Sequence, residues 1–123
     1  MTVQPAAIAN APLQTLGGNA ITIQWGPLAN GDTGSPVSVS DFADRSAQIE
    51  GTFGSGGTVV IEGTNDGIHY ETLHDAAGNV LSFTGAGLKY IAEPVVLLRP
   101  NVTAGDNTTS LTVTGCFRRA QPQ

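Results

Sequence analysis

The sequence predicts an all-β protein, an antiparallel β-sandwich or small barrel, and three observations carry that prediction. Stretches in which apolar and polar residues alternate with a period of two recur along the chain, as strands with one buried face require. Gly, Asn and Asp punctuate them at short intervals. The 123 residues include 16 Gly and 7 Pro but only 12% charged residues, a composition poor in good helix formers. No stretch has the i, i+3, i+4 apolar spacing of an amphipathic helix.

Taken in order, residues 1–31 carry no charged side chain, yet contain Val3, Ile8, Leu13, Leu16, Ile21, Ile23, Trp25 and Leu28. Pro5, Pro12 and Gly17-Gly18 oppose a continuous helix. Residues 1–19 therefore read as an extended N-terminal arm, too apolar to be left in water. Its expected docking place is a neighbouring molecule, with Ile8, Leu13 and Leu16 as partner-binding anchors. Residues 20–119 read as one sandwich domain and 120–123 as a C-terminal tail.

Within the body, Ala20–Trp25 alternates Ile21, Ile23 and Trp25 against Thr22 and Gln24. Asn30-Gly31 turns the chain, and Pro36–Ser40 suits an edge strand that starts at a proline. Ala47–Phe53, Thr58–Thr64, His69–Leu73 and Val80–Thr84 follow, joined by Gly54–Gly57, Asn65-Asp66-Gly67 and Asp75–Asn79. Consecutive hairpins predict a four-strand meander over 47–84. Leu88–Ala92 and Val95–Arg99 are separated by Glu93-Pro94. Thr103–Asn107 reads as a polar loop, and Leu111–Phe117 closes the domain. The inward candidates are Ile49, Phe53, Val59, Ile61, Tyr70, Leu81, Phe83, Ile91, Val96, Leu98, Leu111, Val113 and Phe117, with Trp25 also in a core pattern. The alternation does not separate a jelly-roll-like from an immunoglobulin-like sandwich, although the cysteine pair of the latter is absent.

Composition bears on function by exclusion. A net charge of −5 opposes a basic nucleic-acid module. The longest apolar run, Val95–Leu98, is far short of the roughly 20 residues of a membrane-spanning helix. Cys116 has no cysteine partner, and no Lys or Arg precedes Arg45, so the basic start of a secretory signal is missing and synthesis in a cytosol is expected.

Motifs for chemistry are sparse. His69 and His74 are an odd number of residues apart, which puts them on opposite faces of a strand and away from a shared metal. Gly54-Ser55-Gly56-Gly57 and Gly85-Ala86-Gly87 lack the Lys-Ser/Thr and helix start of a phosphate loop. Asn65-Asp66-Gly67 and Asp106-Asn107 read as turns, without the register of carboxylates that calcium needs. Cys116 stands on a Thr-rich strand face and reads as an inert thiol. No catalytic residue, cofactor or metal is expected, and the protein is not read as an enzyme.

Phe42-Ala43-Asp44-Arg45-Ser46, Gln48–Gly54 and Val60–Gly67, with Tyr70 and Leu73 after them, form a pattern that continues. Its later parts are Asp75, Gly78-Asn79, Leu81, Phe83-Thr84, Arg99-Pro100, Gly105-Asp106, Thr109 and Leu111. This pattern, over roughly residues 25–119, resembles small structural proteins of tailed bacteriophages, the capsid decoration, cement or head proteins. The resemblance implies a virion protein made in the host cytoplasm that binds the major capsid protein on the outer face of the head. It also implies a homo-oligomer, a trimer rather than a dimer, with no nucleic acid and no membrane as partner. The Glu62–Gly67 hairpin with Tyr70 beyond it also resembles one in discoidin-type sandwiches. That is the alternative: a carbohydrate-binding or fibre-associated recognition module, for which Tyr70 and Tyr90 are the aromatics left once Trp25, Phe53, Phe83 and Phe117 are given to the core.

Overall fold

The described residues form twelve strands: β1 (Val3–Gln4), β2 (Ala6–Ala9), β3 (Ala20–Leu28), β4 (Thr33–Gly34), β5 (Val37–Ser38), β6 (Asp44–Thr52), β7 (Thr58–Thr64), β8 (Glu71–Thr72), β9 (Ser82–Phe83), β10 (Gly87–Tyr90), β11 (Leu97–Ala104) and β12 (Ser110–Arg118). They come from a computed structural model that describes residues 3–4, 6–9 and 20–119, with the backbone alone for 6–9. One sheet has the order β10-β6-β12-β3-β2; the other runs β1-β4-β11-β7-β8, with β5 also on β11 and β9 also on β7. The all-β sandwich expected from the alternation is the observed architecture. No helix among the described residues is long and apolar enough to cross a membrane.

Period-two patterning explains the first sheet. β12 turns Leu111, Val113, Gly115 and Phe117 inward, and Thr112, Thr114 and Cys116 lie half-buried on the other face. β6 does the same with Ala47 and Ile49 inward and Gln48 and Glu50 outward. β3 continues three residues past the expected end at Trp25 and buries Leu28 fully.

The four-strand meander over 47–84 is not formed. β6 and β7 lie in different sheets, so Gly54–Gly57 carries the chain across the sandwich rather than closing a hairpin. Alternation records which face of a strand is buried but not which strand lies beside it, so a crossover and a hairpin read alike. The far side of β7 is shared, with Glu62 and Gly63 opposite β8 and Val59 and Val60 opposite β9.

The expected break after Arg99 is also corrected. β11 runs through Pro100 to Ala104, and the polar loop starts later. Proline cannot donate to a ladder, and this one does not need to. On that side of β11, β5 pairs with Leu97 and Leu98, and β4 with Asn101. Pro100 faces the gap between them.

Both sheets bury their apolar residues against one another. Trp25, Phe117, Leu28, Ile49, Ile61, Leu81, Ile91, Leu98 and Leu111 are among the fully buried side chains. Trp25 is the largest, and its Nε1–H donates to the Ser35 carbonyl at 2.8 Å. Room for it, and for Phe117, is made by glycine. A Cβ on Gly34 would strike the Trp25 ring and come within 2.7 Å of Pro100, and one on Gly115 would lie 2.7 Å from the Phe117 ring.

Three expected core residues differ. Val96 is 42% exposed. The chain bends tightly where the Val95 N–H donates to the Glu93 carbonyl, so the alternation of β11 does not extend back to it and Val95 packs against the core instead. Phe53 and Tyr70 are half-buried. Val39, Phe42, Leu73 and Val102, absent from the expected set, are buried.

The arm was expected on a neighbour, but its described segments pair within the chain. Val3–Gln4 lies parallel to β4, and Ala6–Ala9 lies antiparallel to β3 with Ile8 opposite Ile23. A strand from the same chain fills an open sheet edge without the rotational and translational loss of a separate partner. Leu13, Leu16 and residues 120–123 lie outside the described residues.

Trp25→Ala is expected to destabilise the protein by about 3–5 kcal/mol, and Gly115→Ala by about 1–3 kcal/mol through overpacking against Phe117. Urea unfolding midpoints check both. A neutral Gly115→Ala would mean that the ring moves aside freely.

Candidate functional site

The outward face of β7 and β11 carries a closed polar cluster. Register places Arg99 and Thr72 on either side of Glu62. The Arg99 Nε–H donates to Glu62 Oε1 at 2.7 Å and Asn101 Nδ2 donates to Oε2 at 3.4 Å. Tyr70 lies over the pair, its ring centroid 3.8 Å from the Arg99 guanidinium carbon. Tyr70 therefore serves as a cover for an ion pair, with one ring face taken up by a cation–π contact. The cluster fastens two strands and leaves Glu62 only 8% exposed.

The loop carboxylates are consumed by turns. Asp66 Oδ1 accepts from the Ile68 and His69 N–H groups at 2.8 Å, and its Oδ2 lies 2.7 Å from His69 Nδ1. The His69 side chain first, then these backbone donors, hold its carboxyl well below the usual range. Asp106 Oδ1 accepts from the Thr108 N–H and Oγ1, and Oδ2 accepts from the Ser55 N–H at 2.8 Å. The Thr108 hydroxyl and then the Ser55 N–H bring the Asp106 carboxyl down to about 2. Thr109 Oγ1 donates to the Phe53 carbonyl at 2.8 Å. The 105–109 loop thus clasps the segment that crosses between the sheets.

The two histidines occupy separate turn segments. His69 belongs to Asp66. The His74 N–H donates to Glu93 Oε1 at 2.8 Å and its ring Nδ1 bonds Oε2. Burial raises the Glu93 carboxyl, but the His74 backbone and ring donors outweigh it and leave the group lowered. Among the described residues, no three His, Cys, Asp or Glu side chains gather as a metal set.

The outer face of the five-stranded sheet is a second surface, of polar side chains with two exposed apolar ones. Gln24, Ser46, Gln48, Thr112, Thr114 and Cys116 cover its central strands, and Leu88 and Tyr90 stand on β10, 64% and 44% exposed. An open depression of about 230 Å³ lies on this sheet, lined by Asp44, Arg45, Ser46, Tyr90, Cys116 and Arg118. Arg118 Nη2 pairs with Asp44 Oδ2 at 3.2 Å.

Arg45 is the residue that sequence reasoning missed. It is 4% exposed, and its Nε has no hydrogen-bond partner. The signal was present: carrying the inward parity of Ile49 and Ala47 back two residues puts Arg45 on the core face, opposite Phe117. The depression thus presents the Ser46 hydroxyl, the exposed Tyr90 ring and the Asp44–Arg118 pair.

No family model matches the chain, and no curated protein matches it. Among solved structures it is similar to the SPBc2 prophage-derived protein YomS, with a TM-score of 0.59 and 11% identity, over 80% of this chain and 93% of that one. It is also similar to a mutant of Bacillus subtilis oxalate decarboxylase OxdC, with a TM-score of 0.52 and 10% identity. That match covers 96% of this chain but spans only 26% of the decarboxylase. At these identities the likenesses establish the β-sandwich fold.

Two outcomes are expected. Asp106 has a folded pKa below its ordinary 3.8, so its stabilisation is complete above about pH 4 and is lost as pH falls towards 2. Melting temperature followed against pH should fall through that window in the wild type. Asp106→Asn should melt lower at neutral pH and lose that component of the pH dependence. Arg99→Ala, which leaves the Glu62 carboxylate buried without its cation, should cost about 1–3 kcal/mol. Glu62→Gln, which keeps an acceptor for Arg99, should cost less by the same denaturation measurement.

Proposed function

We propose that this protein is a structural component of a bacteriophage particle, a decoration or cement protein on the outer face of the head. The observation that carries the reading is where the side chains go. The sandwich interior is filled around Trp25 and Phe117, whereas the outer face of the five-stranded sheet is broad, sparsely charged and carries exposed Leu88 and Tyr90. Such a molecule acts by the surfaces it covers. The likeness to a prophage-derived protein over 93% of that protein's length supports the same reading, as do the phage-like motifs from Phe42 to Leu111.

The mechanism is linkage. A protein that binds the assembled, expanded shell and not its free subunits stabilises the shell in proportion to that preference. The major capsid protein is the partner, and Leu13 and Leu16 remain proposed contacts with it. Ile8 lies on a strand already paired with β3, so it does not supply a free strand for the capsid.

A second reading is favoured by one feature. Tyr90 stands beside the depression that holds Ser46 and the Asp44–Arg118 pair. An exposed ring next to planar polar groups is the arrangement on which a sugar stacks, which makes a glycan the alternative ligand.

The test is deletion of the gene from the phage that carries it, with the purified protein added back to the deficient heads. The expected result is heads that form but rupture at lower temperature, with the protein sedimenting on expanded heads and restoring their resistance. Absence of the protein from purified virions overturns the proposal. Tyr90-dependent binding to immobilised glycans, with no binding to heads, favours the alternative.

A further inference from the structure

We propose that the outer face of the five-stranded sheet pairs two copies of this chain face to face. This assigns a self-association surface on the face from which the proposed function is argued, so pairing in solution and attachment to a shell through this face exclude each other.

Charge is the first argument. The charged side chains on the outward rows of β6 and β12 are Asp44, Glu50 and Arg118, and Asp44 and Arg118 neutralise each other at 3.2 Å. Most of the net charge of −5 therefore lies elsewhere. Two copies repel over much of their surface but can approach here, where few charges come within a Debye length of about 8 Å. The hydroxyls and amides of this face donate and accept equally well, so the face can bond to another copy of itself without requiring an oppositely charged partner. One such pairing, Gln24 Nε2 to Thr114 Oγ1 at 3.1 Å, already exists within the chain.

Anchors and area are the second argument. Leu88 and Tyr90 project from β10 at alternate positions. Tyr90 borders the depression of about 230 Å³, room for one large side chain of the facing copy. Tyrosine is among the residues that dominate interface energies. Five strands about 4.8 Å apart, the longest about 30 Å long, give a footprint on the order of 600 Å² per copy. Two such footprints bury about 1,200 Å², the lower limit for a specific and reversible interface. Facing the same patch on both copies makes the contact isologous, so it closes as a two-fold pair. The trimer implied by the phage resemblance needs a different contact.

Cys116 supplies the readout. It is the chain's one cysteine and sits on the central strand of this face. Sedimentation equilibrium of the full chain, from micromolar to millimolar, should show the mass rising from 12.6 kDa to twice that. Alkylation of Cys116 should slow in step with the paired fraction. Thr114→Arg and, as a second variant, Gln48→Glu, which doubles the negative charge beside Glu50, should keep their thermal transitions, stay at monomer mass and lose the concentration dependence of alkylation. Ile68→Arg, at a 75% exposed position in the 65–69 turn, should pair like the wild type. A wild type that stays monomeric at millimolar concentration overturns the proposal. So does an oligomer that survives both face variants, or whose formation leaves Cys116 as reactive as in the monomer.

Discussion

Trp25 is the largest side chain of the core and is wholly enclosed by it. An indole fits between two sheets only where the opposing backbone comes close without a side chain and where its N–H finds an acceptor. Gly34 provides the first condition and the neighbouring Ser35 carbonyl the second. Both lie on or directly after the short β4 of the other sheet. Seating the ring therefore fixes the separation of the sheets and their relative position together. The Phe117 ring, stacked at a tilt with Phe42 5.8 Å away, extends the same packing towards the end of the sandwich where Arg45 lies.

Polar groups secure what the core positions. Their distribution is uneven: the seven-stranded sheet holds its ion pair under Tyr70, and the loops commit their carboxylates to N–H and O–H donors within a few residues or across one crossing. The five-stranded sheet turns its polar side chains outward and pairs them with one another: Gln24 with Thr114, Gln48 with Glu50 and Asp44 with Arg118. The two faces differ in depth: Glu62 is buried in its pair, whereas Gln24 and Gln48 face solvent.

The sequence made face assignments legible and partnerships illegible. Thr58–Thr64 forms the expected strand, and the inward and outward rows of Leu111–Phe117 fall as the alternation indicates, because burial of one face is a local property of a strand. The crossing at Gly54–Gly57 was hidden because a glycine-rich turn serves a hairpin and a sheet change equally. Pro100 looked like a terminator because its tolerance depends on a gap between β4 and β5 that is created by residues some sixty positions away. Of the surface, the outward row of Thr112, Thr114 and Cys116 was readable. Arg45 was not recognised, since charge argued for exposure while parity placed it inside. The sheet to which Val3–Gln4 and Ala6–Ala9 would add was beyond the reach of composition alone.

The fragmented borders of the seven-stranded sheet have a consequence for life at high copy number. β1 and β5 on one side and β8 and β9 on the other are each two residues long. An incoming strand needs a longer run of unpaired N–H and C=O groups to template on, and short, interrupted edges are how sheet proteins avoid joining end to end. Open-ended polymerisation is thereby disfavoured along that sheet. Copies held close together remain distinct molecules, available for contacts that close rather than propagate.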